Sequence, residues 1–207
     1  MNALIAVFLL LATTIASAQS VPAAAVAWQR TLVREAQSTI GVSAPVATLA
    51  AQLHQESGWR SDARSAVGAQ GLAQFMPATA EWIAQVKPKR LSPANPLDPR
   101  WSIMAQMEFM AFLLRRNPGA TECDQWAFAL SAYNGGEGWL RRDQRAAIAA
   151  GRDPLRWFSH VEATPDKRRA PQFVRENRDY PRRIMLRHAA LYSRSGWGRA
   201  VACGSVS

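Results

Sequence analysis

Cysteine and histidine are scarce in this sequence, with two and three copies in 207 residues. Cys123 and Cys203 have no histidines clustered near them, and His54, His160 and His188 are scattered. That spacing argues against a metal site, and no metal or other cofactor is expected. Alternating apolar and polar residues are nearly absent, which excludes a β-rich fold. No repeat period and no long low-complexity tract is present, which excludes a solenoid or a disordered chain. Acids are outnumbered by bases, 15 to 25, for a formal charge of +10. Such a balance points to a polyanionic partner. Nucleic acid would be the usual one, but no aromatic-plus-basic RNA motif and no zinc-finger spacing occurs.

What is present fits one globular unit. Hydrophobic residues make up 48% and charged residues 19%, enough to bury a sizeable core in a chain of this length. Residues Ala3 to Ala18 form the one long apolar run and end in the small-x-small pattern Ala16-Ser17-Ala18. This reads as a secretory signal peptide over residues 1–18, cleaved after Ala18, with a single domain over 19–207. The run is short for a spanning helix, and nothing later is apolar enough to cross a membrane, so the chain is peripheral to a membrane at most. Export places the protein in the periplasm or outside the cell. It also disfavours nucleic acid and permits a bridge between Cys123 and Cys203, which would pin the tail to the start of a helix. Two separate thiols are the alternative.

Helical patterns cover most of the remaining chain, and a mainly α fold of about seven to nine helices is expected. Trp28, Leu32, Val33 and Ala36 place a first core helix within Ala24 to Ile40. A second is expected to follow a Ser43 cap and end at Glu56. Pro77 starts a third, with Trp82 and Ile83 facing inward. A loop with Pro88, Pro93, Pro96 and Pro99 is too rich in proline for a helix and could border a cleft. Asp98-Pro99 begins a helix to about Arg116, with methionines as core filler. Further helices are expected up to Asn134, over Glu137 to Ala150, and from Phe173 to Leu191, the last kinked or restarted at Pro181. The basic clusters Arg141-Arg142, Lys167-Arg168-Arg169 and Arg182-Arg183 read singly as solvated faces.

One acid stands out. Val46, Leu49, Ala50 and Leu53 share one helical arc, and Glu56 lies at its edge, just before the breaker pair Ser57-Gly58. A carboxyl there feels the negative helix end and partial burial, and both raise its pKa. A general acid needs that state near neutral pH. Trp59 reads as a packing plug under the following loop. Asp62 is the only other nearby acid, and glycosidases usually use two carboxylates.

Glu56-Ser57, then Ala63 and Ser65, then Gly68, Gly71-Leu72 and Gln74 resemble the first two motifs of the soluble lytic transglycosylases. Ala132-Tyr133-Asn134-Gly135-Gly136 resembles their third, and Glu176-Asn177-Arg178-Asp179-Tyr180 their last. These enzymes are lysozyme-like and cleave peptidoglycan, whose lactyl and stem-peptide carboxylates suit a basic protein. The resemblance implies a lysozyme-like domain in which Glu56 is acid and then base, while Tyr180 orients it. It implies that Ser65, Gln74, Tyr133 and Asn134 bind the sugars, and that one acid suffices, which argues against Asp62. The implied product carries a 1,6-anhydro-N-acetylmuramic acid end. Ser57 is expected to support the loop. Three departures are visible: Ala73 stands where a methionine is common, Ser61 where a proline is common, and Pro181 is unusual after the tyrosine. Ala73 suggests a roomier cleft wall. Two other readings stay open: a goose-lysozyme-like hydrolase, and a non-catalytic wall-binding module. Either kind of wall protein could be recruited by a secretion, conjugation or phage assembly.

Overall fold

The computed structural model describes residues 20–204; the expected signal segment lies outside them. Among the described residues there are ten α-helices: α1 (Ala23–Val26), α2 (Gln29–Thr39), α3 (Val46–Ser57), α4 (Pro77–Val86), α5 (Pro88–Leu91), α6 (Pro99–Arg116), α7 (Glu122–Gly135), α8 (Glu137–Ala149), α9 (Pro171–Arg182) and α10 (Ala189–Arg194). A kinked segment, Trp157–Val161, with Phe158 extended and Ser159 left-handed, lies between α8 and α9, and a wider turn, Arg183–His188, between α9 and α10. The count exceeds seven to nine because α1 and α5 are single turns. Strand-like pairing among the described residues is confined to isolated bridges from Gln70 to Arg64 and to Phe75.

The helix starts follow local chemistry. Asp98 accepts a hydrogen bond from the Trp101 amide at 2.8 Å, and Pro99 takes the first position of α6. Thr121 caps α7 in the same way through the Asp124 amide. α3 is different. Ser43 does not cap it; Pro45 occupies the cap position, and no side chain bonds the first turn. The chain's other end ties down this first turn instead: the Ala47 amide donates to Arg199 O at 3.1 Å, and the Thr48 hydroxyl oxygen accepts from the Val201 amide at 3.0 Å. Cys203 lies in the same strap, paired with Cys123 at a Cα separation of 5.2 Å.

The core sits around α3. This helix packs against α10, the Arg183–His188 segment and α2, while α7 packs against α6, α8 and α9. Leu49, Leu53, Ile103, Met107, Met110 and Phe128 are wholly or almost wholly buried, so the α6 methionines are core filler as expected. Full burial of each such side chain stabilises the fold by roughly 1.5–3 kcal/mol.

Five expectations need correction. The first helix is broken at Trp28, whose ψ of −2° separates α1 from α2. Trp82 faces partly outward, 37% exposed, edge-to-face with Phe109 and Phe112. Pro88 begins a helical turn rather than a loop, because proline at a first helical position loses no hydrogen bond. This proline-rich segment does not line the cleft. Arg90 clamps it to buried Glu35 of α2 at 2.6 Å and to buried Glu108 of α6 at 2.8 Å. Finally, α9 runs through Pro181, and the chain answers the missing amide by widening into the Arg183–His188 turn.

Candidate active site

A cleft of about 730 Å³ opens between α3, α6, α7 and α9. Glu56 and Gln55 line it from α3, Ser65, Gln74, Phe75 and Met76 from the loop after α3, and Phe109 from α6. Tyr133, Asn134 and Gly136 face it from the α7–α8 junction, and Glu176, Asp179, Tyr180 and Arg183 from α9 and the turn after it. All six residues singled out in the sequence therefore meet in one cleft. Asp62 does not: it is exposed and absent from the lining.

Glu56 owes its position to the end of α3. Gly58 adopts φ 61° and ψ 30°, a left-handed cap that lets its amide close on His54 O at 2.9 Å. The chain then turns away and leaves the last-turn carboxyl facing the cleft. Burial pushes that carboxyl up to about 8, and the negative charge of Glu176 adds to the rise. The hydroxyl of Tyr180 donates to Glu56 Oε1 and partly opposes it. Burial, rather than the helix end, dominates the rise. Glu56 therefore stays protonated at neutral pH inside a water-accessible groove.

The loop from Trp59 to Met76 is built to hold its own backbone. Trp59 is buried and donates to Tyr192 Oη at 2.6 Å, a packing plug as expected. Ser57 Oγ donates to Leu72 O at 2.9 Å and supports the loop from α3. Ser65 Oγ accepts from the Ala69 amide at 2.9 Å, which leaves its hydroxyl proton for another acceptor. Gly71 has φ 75°, and a Cβ on it would lie 1.7 Å from Pro96 O, so only glycine fits. The proline-rich segment thus buttresses the loop from behind the cleft. Gln74 donates its amide to Gly71 O at 2.9 Å and Ala63 O at 3.2 Å. Only its carbonyl oxygen remains for a ligand.

Tyr133 donates to Ala73 O at 2.7 Å and packs against Phe75 and Phe109. Ala73 is itself fully buried and does not line the cleft, so its small side chain does not widen a wall. Met76 and Phe75 form that wall. Asn134 donates to Glu176 Oε1 at 3.2 Å and accepts from Asn177 at 3.1 Å. Asn177 is a buried hub that also accepts from Ser131, Arg169 and Arg178. Arg178 reaches fully buried Asp143 at 2.8 Å. Arg169 is buried beside the same carboxylate, not solvated as its basic cluster suggested. These bonds fix α9, and with it Tyr180, against α7 and α8.

Glu176, Asp179 and Arg183 were missed in the sequence. Glu176 stands four residues before Tyr180, and that helical spacing puts both on one face of α9. The signal was present.

A mainly helical fold that presents a carboxyl raised by burial to a cleft fits a lysozyme-like protein. The chain belongs to the Transglycosylase SLT domain family, whose model matches residues 32–155. It is 37% identical over 119 residues to a membrane-bound lytic murein transglycosylase F of Pasteurella multocida, covering 56% of this chain and 22% of that protein. A protein of the same name from Maricaulis maris is 37% identical over 118 residues, covering 56% and 24%. The chain thus spans less than a quarter of the length of these curated relatives. Its fold is similar to the 70 kDa soluble lytic transglycosylase of Escherichia coli, with TM-score 0.57 and 21% identity over 84% of this chain and 27% of that one. It is similar also to an inactive variant of the lytic transglycosylase Slt of Pseudomonas aeruginosa, with TM-score 0.60 and 22% identity over 86% and 26%. Among the described residues no helix is long and apolar enough to cross a membrane.

Proposed function

We propose that this chain is a peptidoglycan lytic transglycosylase. It cleaves the β-1,4 bond between N-acetylmuramic acid and N-acetylglucosamine and leaves a 1,6-anhydro end. The observation that carries this reading is Glu56, a half-buried carboxyl at about 8 that accepts a hydrogen bond from Tyr180 in the cleft. Protonated at neutral pH, it gives its proton to the leaving glycosidic oxygen. The substrate's own acetamido oxygen assists at the anomeric carbon. Glu56, now a carboxylate, takes the proton of the 6-hydroxyl, which closes on that carbon. Tethering lets this hydroxyl outcompete water. The proton count returns to its start.

Tyr180 holds Glu56 in register. Ser65 offers its hydroxyl proton, Gln74 its amide carbonyl, and Asn134 and Tyr133 the polar and aromatic edges of the sugar site. Residues 1–18 direct export to the periplasm, where the Cys123–Cys203 pair is oxidised. A secretion, conjugation or phage assembly is the kind of partner that would recruit such a domain to the wall.

Glu176 favours a second reading. Its exposed carboxylate in the same cleft is what a hydrolase would use to activate water. Mass spectrometry of a peptidoglycan digest separates the two. Anhydro ends are lighter by one water than hydrolysed ends, and reducing ends alone would overturn the transglycosylase reading.

A further inference from the structure

Behind Tyr180 runs a line of buried amides that the reaction itself does not use. Gln52 of α3 and Gln106 of α6 are both fully buried, and neither lines the cleft. Gln106 Nε2 donates to Leu49 O at 3.1 Å and to Gln52 Oε1 at 2.8 Å. Gln52 Nε2 donates to Tyr180 Oη at 3.3 Å, and Tyr180 donates to Glu56 Oε1.

The line has a fixed direction. A backbone carbonyl can only accept, so Leu49 O dictates which end of the Gln106 amide faces α3. That sets the Gln52 amide, and Gln52 in turn occupies the Tyr180 oxygen as a donor. The Tyr180 proton is then left with Glu56 as its acceptor. The arrangement carries a cost: Gln106 Oε1 is buried with no hydrogen-bond partner. An apolar residue at position 106 would remove that orphan but would leave Gln52 Oε1 without its donor, so Gln106 and Gln52 act as a pair.

We propose that Gln52 and Gln106 are positioning residues that lock Tyr180 as a donor to Glu56 Oε1 and leave Oε2 to carry the transferable proton. This rests on Glu56 being the acid. A protonated Glu56 is itself a donor. Were the Tyr180 oxygen unoccupied, the acid could spend its proton on that oxygen, pointed away from any glycosidic bond. With the oxygen taken, that unproductive state is closed. Gln52 and Gln106 therefore act on the acid through Tyr180 alone.

The test makes Gln52→Met and Gln106→Met, each with Tyr180 intact and with Tyr180→Phe. Circular dichroism and melting report folding, turnover on purified peptidoglycan is followed against pH, and carbon-13 NMR follows the Glu56 carboxyl. Gln52→Met should lower turnover roughly 3- to 10-fold, the scale of one net hydrogen bond, with KM unchanged. Its Glu56 titration should move upward, because the neutral acid gains an acceptor. Gln106→Met should do the same with little change in melting, since it removes the unpaired Oε1 but leaves Gln52 Oε1 without its donor. Both effects should vanish on Tyr180→Phe. A folded Gln52→Met or Gln106→Met with unmoved turnover and unmoved Glu56 titration overturns the proposal. So does an equal loss with and without Tyr180. If Gln52→Met does not fold, Gln106→Met decides. A parent protein that releases no anhydro ends sinks the transglycosylase reading separately, while the NMR titration still judges the amide line.

Discussion

His188 stacks on His54, with ring centroids 4.6 Å apart and planes 18° from parallel. The pair joins α3, which carries Glu56, to the wide turn that follows Tyr180. Burial pushes His188 down to about 4, and the charges of His54, Arg187 and Arg183 add to the drop. His54 is lowered by burial as well. His54 Nδ1 lies 2.9 Å from Tyr192 Oη, which also accepts from Trp59, and the imidazole tautomer decides which of His54 and Tyr192 donates.

The sign follows from proton uptake. Unfolded His188 binds a proton near its ordinary 6.5, folded His188 only near 4. Stability is therefore lost as pH falls from about 6.5 to about 4. His188→Phe keeps a ring in the stack and removes the buried, unpartnered Nδ1. It should flatten this acid loss by roughly 2–3 kcal/mol at pH 4 and change little at pH 8. Melting across pH checks it, and parallel curves for both proteins would refute it.

Glu56 has the opposite slope. Its folded pKa of about 8 exceeds the unfolded 4.5, so stability falls as pH rises from about 4.5 to about 8. At pH 7 the cost is about 3 kcal/mol. Glu56→Gln should melt higher than the parent at pH 7 and equally at pH 4. Its activity on peptidoglycan should drop at least ~10²-fold, the scale of a positioned acid–base group. The parent's turnover should decline above pH about 8, where the acid loses its proton. Asp62→Asn, outside the cleft, should keep most activity; a dead, folded Asp62→Asn would overturn the single-acid mechanism.

Asp143 is fully buried between Arg178 at 2.8 Å and Arg169 at 3.9 Å, and accepts the Asp166 amide at 2.7 Å. Asp143→Ala leaves two buried guanidiniums without their anion. A loss of about 3–5 kcal/mol is expected in denaturant titration. Activity per folded molecule should fall too, because these arginines brace the helix that carries Tyr180.

Thiol labelling of exported protein should find neither Cys123 nor Cys203 reactive until reductant is added. The pair closes a loop with a sequence separation of 80. Reduction should cost about 4 kcal/mol. Two reactive thiols in freshly exported protein would rule the bridge out.

The sequence carried the acid because α3 repeats its apolar face visibly, and its partner Tyr180 only through the resemblance of residues 176–180 to a family motif. Glu56 follows Leu49 and Leu53 on one arc, and the glycines after it announce a tight loop. Glu176 escaped attention although it shares a helix face with Tyr180, since an exposed glutamate carries no packing signature. Ala73, Trp82 and the proline-rich segment were misjudged for another reason. Periodicity tells which side of a helix is apolar, but not which neighbour covers it or at what angle. Gln52 and Gln106 were hidden in the same way: 54 residues apart, they become one unit only when α3 and α6 cross.

The strap over α3 bears on the order in which the molecule is completed. Thr48 and Val201, 153 residues apart in the chain, hold the first turn of the helix that carries Glu56 in its last turn. On the export reading, a chain threaded amino end first delivers that helix long before its strap. The acid's scaffold would stay unfinished during transit, and the groove would become competent only after the last segment had emerged beside the wall. Timing, as well as compartment, would then keep a wall-cutting activity from starting early.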